Sequence, residues 1–295
     1  MKTDARYRRG PDEQVELVAS IPFFLMHLAP LGALWFGVRP RDVALCVALY
    51  VVRMFFITAG FHRYFGHRAY KLGRVMQFVM AFGGGMAAQK GALWWAGHHR
   101  HHHKHSDLPT DIHSPRRGLF WSHVGWILCS KYAATPTHAI RDFAKYPELV
   151  WLNRFHLVPP ALLGIAVFAV GGPSALFTGF FLSTVFLYHG TFVINSLTHL
   201  WGRRRYRTSD TSRNSLALAI ITLGEGWHNN HHYYQSSANQ GFFWWEIDVS
   251  FYVLKVLSWL GLASGLRGVP EHVKRSNLLV DGGPDVGMDL PSAAE

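Results

Sequence analysis

The chain has 295 residues, 49% of them hydrophobic, which suits one large domain or two small ones. Basic residues exceed acidic ones by 11 but form no compact run, which argues against nucleic acid and favours anionic lipid or an acidic partner. The two cysteines, Cys46 and Cys129, are too few for a disulfide framework and fit a reducing compartment.

Four apolar stretches are long enough to cross a bilayer, for which a helix needs about 20 residues. They cover approximately residues 15–38, 43–61, 155–171 and 175–198. Short connections join the first stretch to the second and the third to the fourth, so the sequence predicts two helical hairpins. His27, Arg53 and His189 interrupt these stretches, and we expect their side chains to face protein or the membrane surface because each is costly in lipid.

Two further segments are apolar without reading as simple spans. Residues 75–95 contain three consecutive glycines, and a full crossing would put His62 and His99 on opposite sides of the membrane. We therefore expect an interfacial or re-entrant helix there. Residues 242–266 place three charged residues in an apolar pattern, which predicts an amphipathic helix on the membrane surface or against a soluble cap.

The predicted layout is a single membrane domain whose polar regions form a cytoplasmic cap. Lysine and arginine are dense in the N-terminal, middle and C-terminal regions, so the positive-inside tendency places both termini and the cap in the cytoplasm. The expected boundaries are 15–62 for the first hairpin, 63–153 for the first part of the cap with its interfacial helix, 154–198 for the second hairpin, 199–266 for the second part of the cap and 267–295 for a flexible tail.

Histidines recur in four groups near the ends of the predicted spans. Residues three and four apart on a helix share one face, so HRHHH and HNNHH each present three imidazoles together, and NSLTH presents an asparagine with a histidine. The two histidines of HRYFGH are five apart and do not share a face of a straight helix, but Gly66 can end the span and let His67 fold back. The candidate ligands are His62, His67, His99, His102, His103, His199, His228, His231 and His232, with Asn195 beside them.

Nine converging imidazoles are hard to accommodate without metal. Protonated rings would repel one another, whereas neutral rings each offer a lone pair to a Lewis acid. Imidazole suits zinc, copper, iron and nickel, and nine rings exceed the four ligands of a structural zinc ion. They match two metal ions with four or five ligands each, and the uncharged shell favours a redox pair of irons over a structural site.

Two carboxylates stand beside the histidine groups in the sequence, and three other functions compete with a redox metal pair. Glu225 and Asp107 can accept the free imidazole N–H and fix its tautomer, although a plain surface carboxylate fits each position equally well. A loose metal-buffering loop is one alternative. A membrane metal transporter would need ionisable groups at mid-bilayer, and a zinc hydrolase would need an open site with a general base. Four other histidines are more typical of exposed or core positions, namely His113, His123, His138 and His156.

Five segments resemble, in order and spacing, the integral-membrane fatty-acid desaturases, in the bacterial type of their acyl-CoA delta-9, stearoyl-CoA-like branch. They are HRYFGHR, HRHHHKHSD, DIHSPRRGLFWSHVGW, NSLTH and GEGWHNNHH, and the resemblance covers about residues 15–265. It implies an all-α integral membrane protein with four transmembrane helices in two hairpins, interfacial amphipathic helices and a helical cytoplasmic cap holding a His-rich di-iron centre. It also implies O2-dependent insertion of a cis double bond, at the delta-9 position, into a saturated long-chain acyl thioester.

The resemblance assigns roles to individual residues. The nine histidines become ligands of two iron ions, and Asn195 acts through a bound water. Gln89, Trp95 and Phe192 fall where relatives line the bend of an acyl tunnel. Tyr50 lies about three turns before the first histidine, where its bulk can limit chain length or simply pack. Overproduction can load zinc into such an iron site as an artefact.

The residues that would recognise the acyl carrier depart from the pattern. Animal relatives carry an Arg-Asp pair before HxxHH where this chain has Gly97 and His98, and of a later Arg-Lys pair only Lys131 remains. Arg116 and Arg117 are retained as candidate contacts of a head group. We expect acyl-CoA as substrate, with a phospholipid- or carrier-protein-linked chain as the alternative and a related fatty acyl hydroxylase as a rival on the same cofactor.

Desaturation needs two electrons from outside, and the sequence contains no haem-binding, flavin-binding or Cys-rich ferredoxin segment. We therefore expect a separate donor such as cytochrome b5, a ferredoxin or a reductase, attracted by the basic cytoplasmic surface. The expected location is a bacterial inner membrane or its equivalent, with the lipid bilayer as a further partner.

Overall fold

The structure is a computed structural model that describes residues 5–279 of the chain. Helices dominate these residues, and a two-stranded antiparallel sheet pairs β1 (Lys71–Leu72) with β2 (Ala263–Ser264). The helices that carry the argument are α1 (Ile21–Phe36), α2 (Pro40–Gly66), α3 (Arg74–Gly85), α4 (Ala92–His105), α5 (Pro147–Arg154), α6 (Val158–Ser174), α7 (Ser183–Ser196), α8 (His228–Tyr233) and α9 (Val249–Trp259). Shorter helical turns cover Ala5–Tyr7, Pro115–Arg117, Leu119–His123, Gly125–Leu128, Ser130–Tyr132, Thr137–Ala139, Arg141–Ala144, Ala175–Leu182, Leu197–His199, Leu216–Ile221 and Glu271–Lys274.

Within the described residues, two helices are long and apolar enough to cross a membrane, rather than the four that we expected. One is α2, and the other is the 42-residue helical stretch Val158–His199, which contains both the third and the fourth predicted span. Gly172 interrupts this stretch with a φ of 72°, a left-handed conformation that glycine adopts without strain. The first predicted span becomes α1, which is about 24 Å long and shorter than the roughly 30 Å hydrocarbon core of a bilayer.

The second predicted span is longer than expected because its last third winds more widely. α2 continues to Gly66, and its segment Phe56–Gly66 is a π-helix. In a π-helix each amide bonds the carbonyl five residues earlier, and the amide of His67 donates to the carbonyl of His62 at 3.1 Å. The wider winding therefore makes neighbours of two histidines that a straight α-helix would separate. At 27 residues, α2 is about 40 Å long, so one end extends beyond a hydrocarbon core of roughly 30 Å.

The consecutive glycines at 83–85 allow α3 to lie directly against the π-helical part of α2. A β-carbon at Gly83 would lie 2.4 Å from the ring of Phe56. A β-carbon at Gly84 would lie 2.2 Å from the ring of Phe61. The glycines thus serve close helix packing rather than a break within a helix.

The segment 75–95 is not the single helix that we expected. It is divided between α3 and α4, because the chain turns between residues 86 and 91. Ala88 and Lys90 have φ values of 55° and 63° in this turn, where a helix cannot continue. The turn lets α4 start in a new direction and carry HRHHH toward the end of α2.

The C-terminal amphipathic helix is shorter than expected. It begins at Val249 rather than near residue 242, and the Asp248 carboxylate caps it by accepting a hydrogen bond from the amide of Phe251 at 3.0 Å. Glu246 and Asp248 are buried, so they do not form a polar face. The exposed apolar side chains of α9, including Tyr252, Val253, Val256 and Trp259, still leave one face available to lipid.

The first part of the predicted flexible tail makes hydrogen bonds with residues 205–207. Arg207 donates its amide to the carbonyl of Asn277 at 2.9 Å, and Leu279 donates to the carbonyl of Arg205 at 2.8 Å. Tyr206 adds a hydrogen bond from its hydroxyl to the carbonyl of Lys274 at 3.0 Å. Residues 267–279 are therefore attached to the cap, and the rest of the predicted tail, 280–295, lies outside the described residues.

Of the polar residues within the apolar stretches, Arg53 faces protein, whereas His27 is partly buried and His189 is exposed. Arg53 is fully buried, donates to the hydroxyl of Thr184 at 2.7 Å and also contacts Ser183. Nε2 of His27 lies 3.2 Å from Nε2 of His189. These contacts supply the hydrogen bonds that the same groups would lack in lipid.

Candidate metal centre

The nine predicted histidines lie in two adjacent groups, within each of which the ligand atoms are no more than 4.8 Å apart. The five-His group lies at the end of α2, on α4 and on α8. The four-His group lies on α4, after α7 and on α8. The five-His group is His62, His67, His99, His103 and His231, and the four-His group is His102, His199, His228 and His232.

The ring nitrogens within each group face one another. In the five-His group, Nε2 of His231 lies 3.0 Å from Nε2 of His62 and 3.0 Å from Nε2 of His103. In the four-His group, Nε2 of His228 lies 3.1 Å from Nε2 of His199. Two nitrogens bound at right angles to one metal at 2.0–2.1 Å would lie about 3 Å apart. The separations therefore match those of ligands that share a metal ion.

The local structure explains how distant segments deliver these rings. On α4, the i, i+3 and i+4 positions bring His99 and His103 to one group and turn His102 toward the other. On α8, His231 joins the five-His group, whereas His228 and His232 join the four-His group. Each of the two HxxHH segments thus contributes to both groups, which fixes the groups side by side.

Carboxylates lie beside the Nδ1 atoms of three of the four histidines in the four-His group. Nδ1 of His102 lies 3.0 Å from Asp111, and Nδ1 of His232 lies 2.6 Å from Asp210. Nδ1 of His199 lies 3.5 Å from Asp107. A carboxylate on Nδ1 fixes the tautomer that leaves the Nε2 lone pair for a metal.

Two of these carboxylates, Asp111 and Asp210, were missed by the sequence analysis. Asp111 lies nine residues beyond its histidine and Asp210 lies 22 residues before its own, so neither is adjacent in sequence. The signal available in the sequence was weak: both are acidic residues in polar segments of a basic chain. By contrast, the sequence analysis named Asp107 and Glu225 as possible partners of imidazoles. In the structure, Glu225 lies beside His62 and Asp107 lies beside His199.

Glu225 supports the five-His group from a buried ion network. Its Oε2 lies 2.6 Å from Nδ1 of His62, and its Oε1 lies 3.0 Å from the guanidinium of Arg63. Arg63 also binds Asp248 at 2.8 Å, and all three charged side chains are at most 1% exposed. Gln240 lies 3.3 Å from the same Nδ1 of His62. The orientation of His62 therefore depends on a charged cluster rather than on one carboxylate.

Burial favours the uncharged form of six of the nine imidazoles of the centre, whereas at His199 the nearby carboxylates, Asp107 first, outweigh burial and raise the pKa of the ring. Loss of hydration lowers the pKa of His103, His228 and His231 well below its ordinary value, and neighbouring imidazoles lower each pKa further. Burial alone would raise the pKa of the Asp210 carboxyl, but His232 outweighs burial and lowers it. Nε2 of His232 is buried without a hydrogen-bond partner among the described residues. A neutral ring with an unpartnered lone pair is what a metal ligand requires.

His113 is closer to the centre than the sequence suggested. Its ring stacks on that of His102 with centroids 4.2 Å apart, and with Asp111 the two form a further buried cluster of potential ligands. We expected an exposed or core residue at His113, and the structure places it in the core, in contact with a predicted ligand. His123 contacts His189 at 3.0 Å, away from the nine histidines.

The residues predicted to line the acyl tunnel lie in the turn before α4, on α4 and on α7. Gln89 donates to the hydroxyl of Thr191 at 3.0 Å. Trp95 stacks on His99 with ring centroids 4.9 Å apart, and Phe192 is buried against Tyr188. Asn195 is half-buried on α7, four residues before His199. Tyr50 donates to the carbonyl of Ile221 at 2.8 Å.

The predicted head-group cations are engaged by the N-terminal arm, which we define as residues 5–20. Lys131 binds Asp12 at 2.9 Å, and Arg117 binds Glu13 at 2.8 Å. Arg116 donates to the hydroxyl of Tyr7 at 3.1 Å. The three cations predicted to contact an acyl carrier are therefore occupied within the chain.

A cavity opens beside the five-His group. It has a volume of about 380 Å³. Its lining joins two histidines of that group to a basic rim formed by Arg100 and Lys104. The residues that line it are Gly66, His67, Arg100, His103, Lys104, Gln235 and Ser236.

Comparisons with known proteins agree with this geometry. A family model described as fatty acid desaturase matches residues 42–264. The sn-2 palmitoyl-lipid 9-desaturase of Nostoc sp. (strain 36) is 34% identical, covering 90% of this chain and 94% of that relative. The Delta-9 acyl-lipid desaturase 1 of Arabidopsis thaliana is 35% identical, covering 87% and 84%, and the Acyl-CoA C20 Delta5-desaturase of Anemone leveillei is 34% identical, covering 79% and 76%. The chain therefore belongs to the fatty acid desaturase family and is an oxidoreductase.

Proposed function

We propose that this protein inserts a cis double bond, at the delta-9 position, into a saturated long-chain acyl group carried on a membrane glycerolipid. The observation that carries the proposal is the pair of histidine groups, because their donor atoms suit two metal ions that share a reaction. The oxidation uses O2 and two electrons from an external donor. A redox metal pair is needed because an unactivated methylene does not yield to acid–base chemistry.

Two iron ions fit the donors of the two groups. The five-His group would hold one ion, and the four-His group would hold the other with Asn195 acting through water. When bound, the irons supply the cleavage of O2 and the removal of hydrogen from the acyl chain. Neutral imidazoles also suit zinc, so zinc found after overproduction would be an artefact.

The lipid-linked substrate is proposed in place of the acyl-CoA that the sequence suggested. Two of the relatives act, by their names, on acyl lipids, although a third acts on acyl-CoA. Lys131 and Arg117 are neutralised by Asp12 and Glu13, which leaves their positive charge unavailable to the phosphates of CoA. A chain that enters from the bilayer would need no such contact.

The chain's own residues would position the acyl group. Gln89, Trp95 and Phe192 are proposed to bend it at the carbons to be oxidised, and a shift of one methylene would change the bond attacked. Trp95 contacts His99 directly, so the bend of the acyl chain would keep a fixed position relative to the metal ions. Tyr50 is proposed to limit chain length, and it lies 2.5 Å from where a β-carbon on Gly190 would project.

The protein is proposed to lie in the membrane as four helical spans in two hairpins, with both termini and the cap in the cytoplasm. The division of Val158–His199 at Gly172 supports a second hairpin. Exposed side chains such as Leu34, Trp35 and Val170, each at least 87% exposed, support contact of α1 and α6 with lipid. The external electron donor would approach the basic cap from the cytoplasm. It would be a cytochrome b5, a ferredoxin or a reductase.

The direct test supplies reductant and O2 to the purified protein with either a saturated glycerolipid or the matching acyl-CoA. We expect a cis-monoene on the lipid by mass spectrometry, and little product from acyl-CoA. A hydroxyacyl product would indicate the related hydroxylase reaction. Product from acyl-CoA alone would overturn the lipid-linked proposal while leaving the desaturation intact.

Ligand variants with a matched control test the metal assignment. We expect His102→Ala and His231→Ala, one from each group, to lose product and to bind less iron. His138→Ala changes an exposed histidine outside both groups and should retain wild-type product and iron. Retained activity in both ligand variants would reject the assignment.

A further inference from the structure

Aromatic side chains lead from the four-His group toward the N-terminal arm. The ring of His113 lies 4.2 Å from that of His102, measured between centroids, and 5.1 Å from that of Trp126. Trp126 in turn lies 6.3 Å from Tyr132. We call His113, Trp126 and Tyr132 the aromatic path. Trp94 is stacked beside it, 5.7 Å from Trp126 with an interplanar angle of 6°.

The outer end of the aromatic path is coupled to a carboxylate. The hydroxyl of Tyr132 donates a short hydrogen bond to Glu13. Burial alone would raise the pKa of Glu13, but the hydrogen bonds from Tyr132 and Arg117 outweigh it and lower the pKa to about 2. Glu13 is therefore ionised at neutral pH and can accept the phenolic proton. It also contacts Lys131, whose side chain is 39% exposed, so the end of the path is near the surface.

Packing alone does not explain the residue at the centre of the path. Trp126 is 6% exposed, and its Nε1 is buried without a hydrogen-bond partner among the described residues. Nδ1 of the adjacent His113 is likewise buried and unpartnered there. An unpaired buried polar group destabilises a fold, and a phenylalanine would fill much of this space without it. What phenylalanine lacks is the ease of oxidation of an indole.

We propose that the aromatic path is a protective route by which the metal centre is reduced when it is oxidised with no acyl chain in place. The inference rests on the proposed function, which supplies the oxidant as an O2-activated metal pair. Indole and phenol are among the most readily oxidised side chains, and the contacts between rings permit electron transfer along the path. Without such a route, the oxidant would attack its own histidine ligands.

The transfer is balanced in electrons and protons. One electron moves from Tyr132 through Trp126 to the metal pair, which is reduced by one electron. The phenolic proton of Tyr132 moves to Glu13, leaving a neutral phenoxyl radical. A soluble thiolate then donates one electron to the phenoxyl radical and leaves as a thiyl radical, while the protonated Glu13 returns its proton to the Tyr132 oxygen.

The experiment exposes the reduced, iron-loaded protein to O2 without acyl substrate and freezes samples during the reaction. We expect an organic radical by electron paramagnetic resonance, and ring-deuterated tyrosine or tryptophan should alter its hyperfine pattern. Peptide mapping should find oxidation at Tyr132 and Trp126 in the same samples. A parallel sample with acyl substrate measures product, so that failure of the desaturation itself is recognised separately.

Tyr132→Phe keeps the ring and removes the proton-coupled hydroxyl. We expect loss of the tyrosyl signal, oxidation shifted to Trp126 and the histidine ligands, and several-fold faster inactivation without substrate. Tyr206→Phe is the matched control, since Tyr206 is a buried tyrosine that packs on Tyr233 and Phe242 instead. It should retain the wild-type signal and inactivation rate.

Two results would overturn the inference. One is wild-type protein that forms product with substrate but shows neither an aromatic radical nor oxidation on the path without it. The other is the same signal and inactivation rate in both tyrosine variants. If Tyr132→Phe fails to fold, isotope labelling and peptide mapping of the wild type still decide the question.

Discussion

The two histidine groups differ in how the protein surrounds them. All four histidines of the four-His group are buried, and Asp107, Asp111 and Asp210 face three of them. In the five-His group, His67, His99 and His103 are partly exposed and a cavity of about 380 Å³ opens beside them. Within residues 5–279, Glu225 is the carboxylate that pairs with an imidazole of that group.

The difference indicates that the four-His group is suited to retaining a metal ion, whereas the five-His group is accessible to solvent and small molecules. Three carboxylates would offset the charge of a bound dication and hold three rings in the tautomer that binds it, which would strengthen its retention. The five-His group has one more potential ligand, but Arg63 shares its carboxylate, so less negative charge would face a metal ion bound there. The open cavity gives solvent and small molecules a way to that position.

The largest expected effect follows from replacing Arg63 with leucine. This change leaves Glu225 and Asp248 as uncompensated buried carboxylates, and breaking such a buried pair costs about 3–5 kcal/mol. We expect a correspondingly lower free energy of unfolding in detergent. Arg74→Leu removes an exposed ion pair with Glu148 and should lower the free energy of unfolding far less, because solvent screens that pair. Equal losses in the two variants would contradict the idea that the five-His group depends on a buried ion network.

Asp210→Asn tests whether the carboxylates around the four-His group strengthen metal retention. Nδ1 of His232 loses its anionic acceptor, and such a loss typically weakens metal binding about 10- to 100-fold. Iron retained after titration with a chelator gives the measurement. Asp142→Asn, which alters a partly exposed carboxylate paired with Arg100, is the control and should leave retention unchanged. Wild-type retention by Asp210→Asn would remove the proposed role of the carboxylates.

A smaller difference is expected in the order of metal release from the unmodified protein. Graded chelation should empty the five-His position first, because it borders the cavity, and the four-His position later. Iron per chain should therefore fall in two steps rather than one. Release of both ions in a single step would contradict the proposed difference between the two groups. So would spectra that show the four-His position emptying first.

The smallest effect concerns the N-terminal arm, which covers the side of the four-His group. The pKa of Glu13 is lowered from 4.5 to about 2 in the folded protein, so its stabilising contribution is fully present above about pH 4.5 and declines as the pH falls toward 2. The difference in unfolding free energy between wild type and Glu13→Gln should be constant from pH 7 to 5 and shrink below that. A difference that grows on acidification would have the wrong sign.

Sequence patterns predicted which histidines come together better than they predicted the backbone structure that positions them. The three- and four-residue spacings on α4 and α8 depend on local helix geometry, so the convergence of their histidines was predictable. His67 was expected to join His62 through a break at Gly66, but the π-helix that brings the two together is not indicated by HRYFGH. Asp111 and Asp210 were missed since their contacts depend on how loops fold over the histidines.

The membrane helices were misjudged for a related reason. Hydropathy located the apolar stretches and the short connection at residues 171–174, where Gly172 is left-handed, but it did not show that the turn at 86–91 divides residues 75–95 between two helices. Likewise, Glu246 and Asp248 looked like the polar face of an amphipathic helix until their burial against Arg205 and Arg63 was seen. Charge and hydropathy alone do not show which charged residues find a buried partner.

The central claim is that the protein holds two metal ions in unequal surroundings. Mössbauer spectroscopy of active protein loaded with iron-57, combined with iron and protein analysis, tests it most directly. The account predicts two irons per chain that give two distinguishable signals, with the signal of the four-His position outlasting the other during chelation. Active protein that holds a single iron per chain, or two irons that remain indistinguishable and leave together, would contradict it.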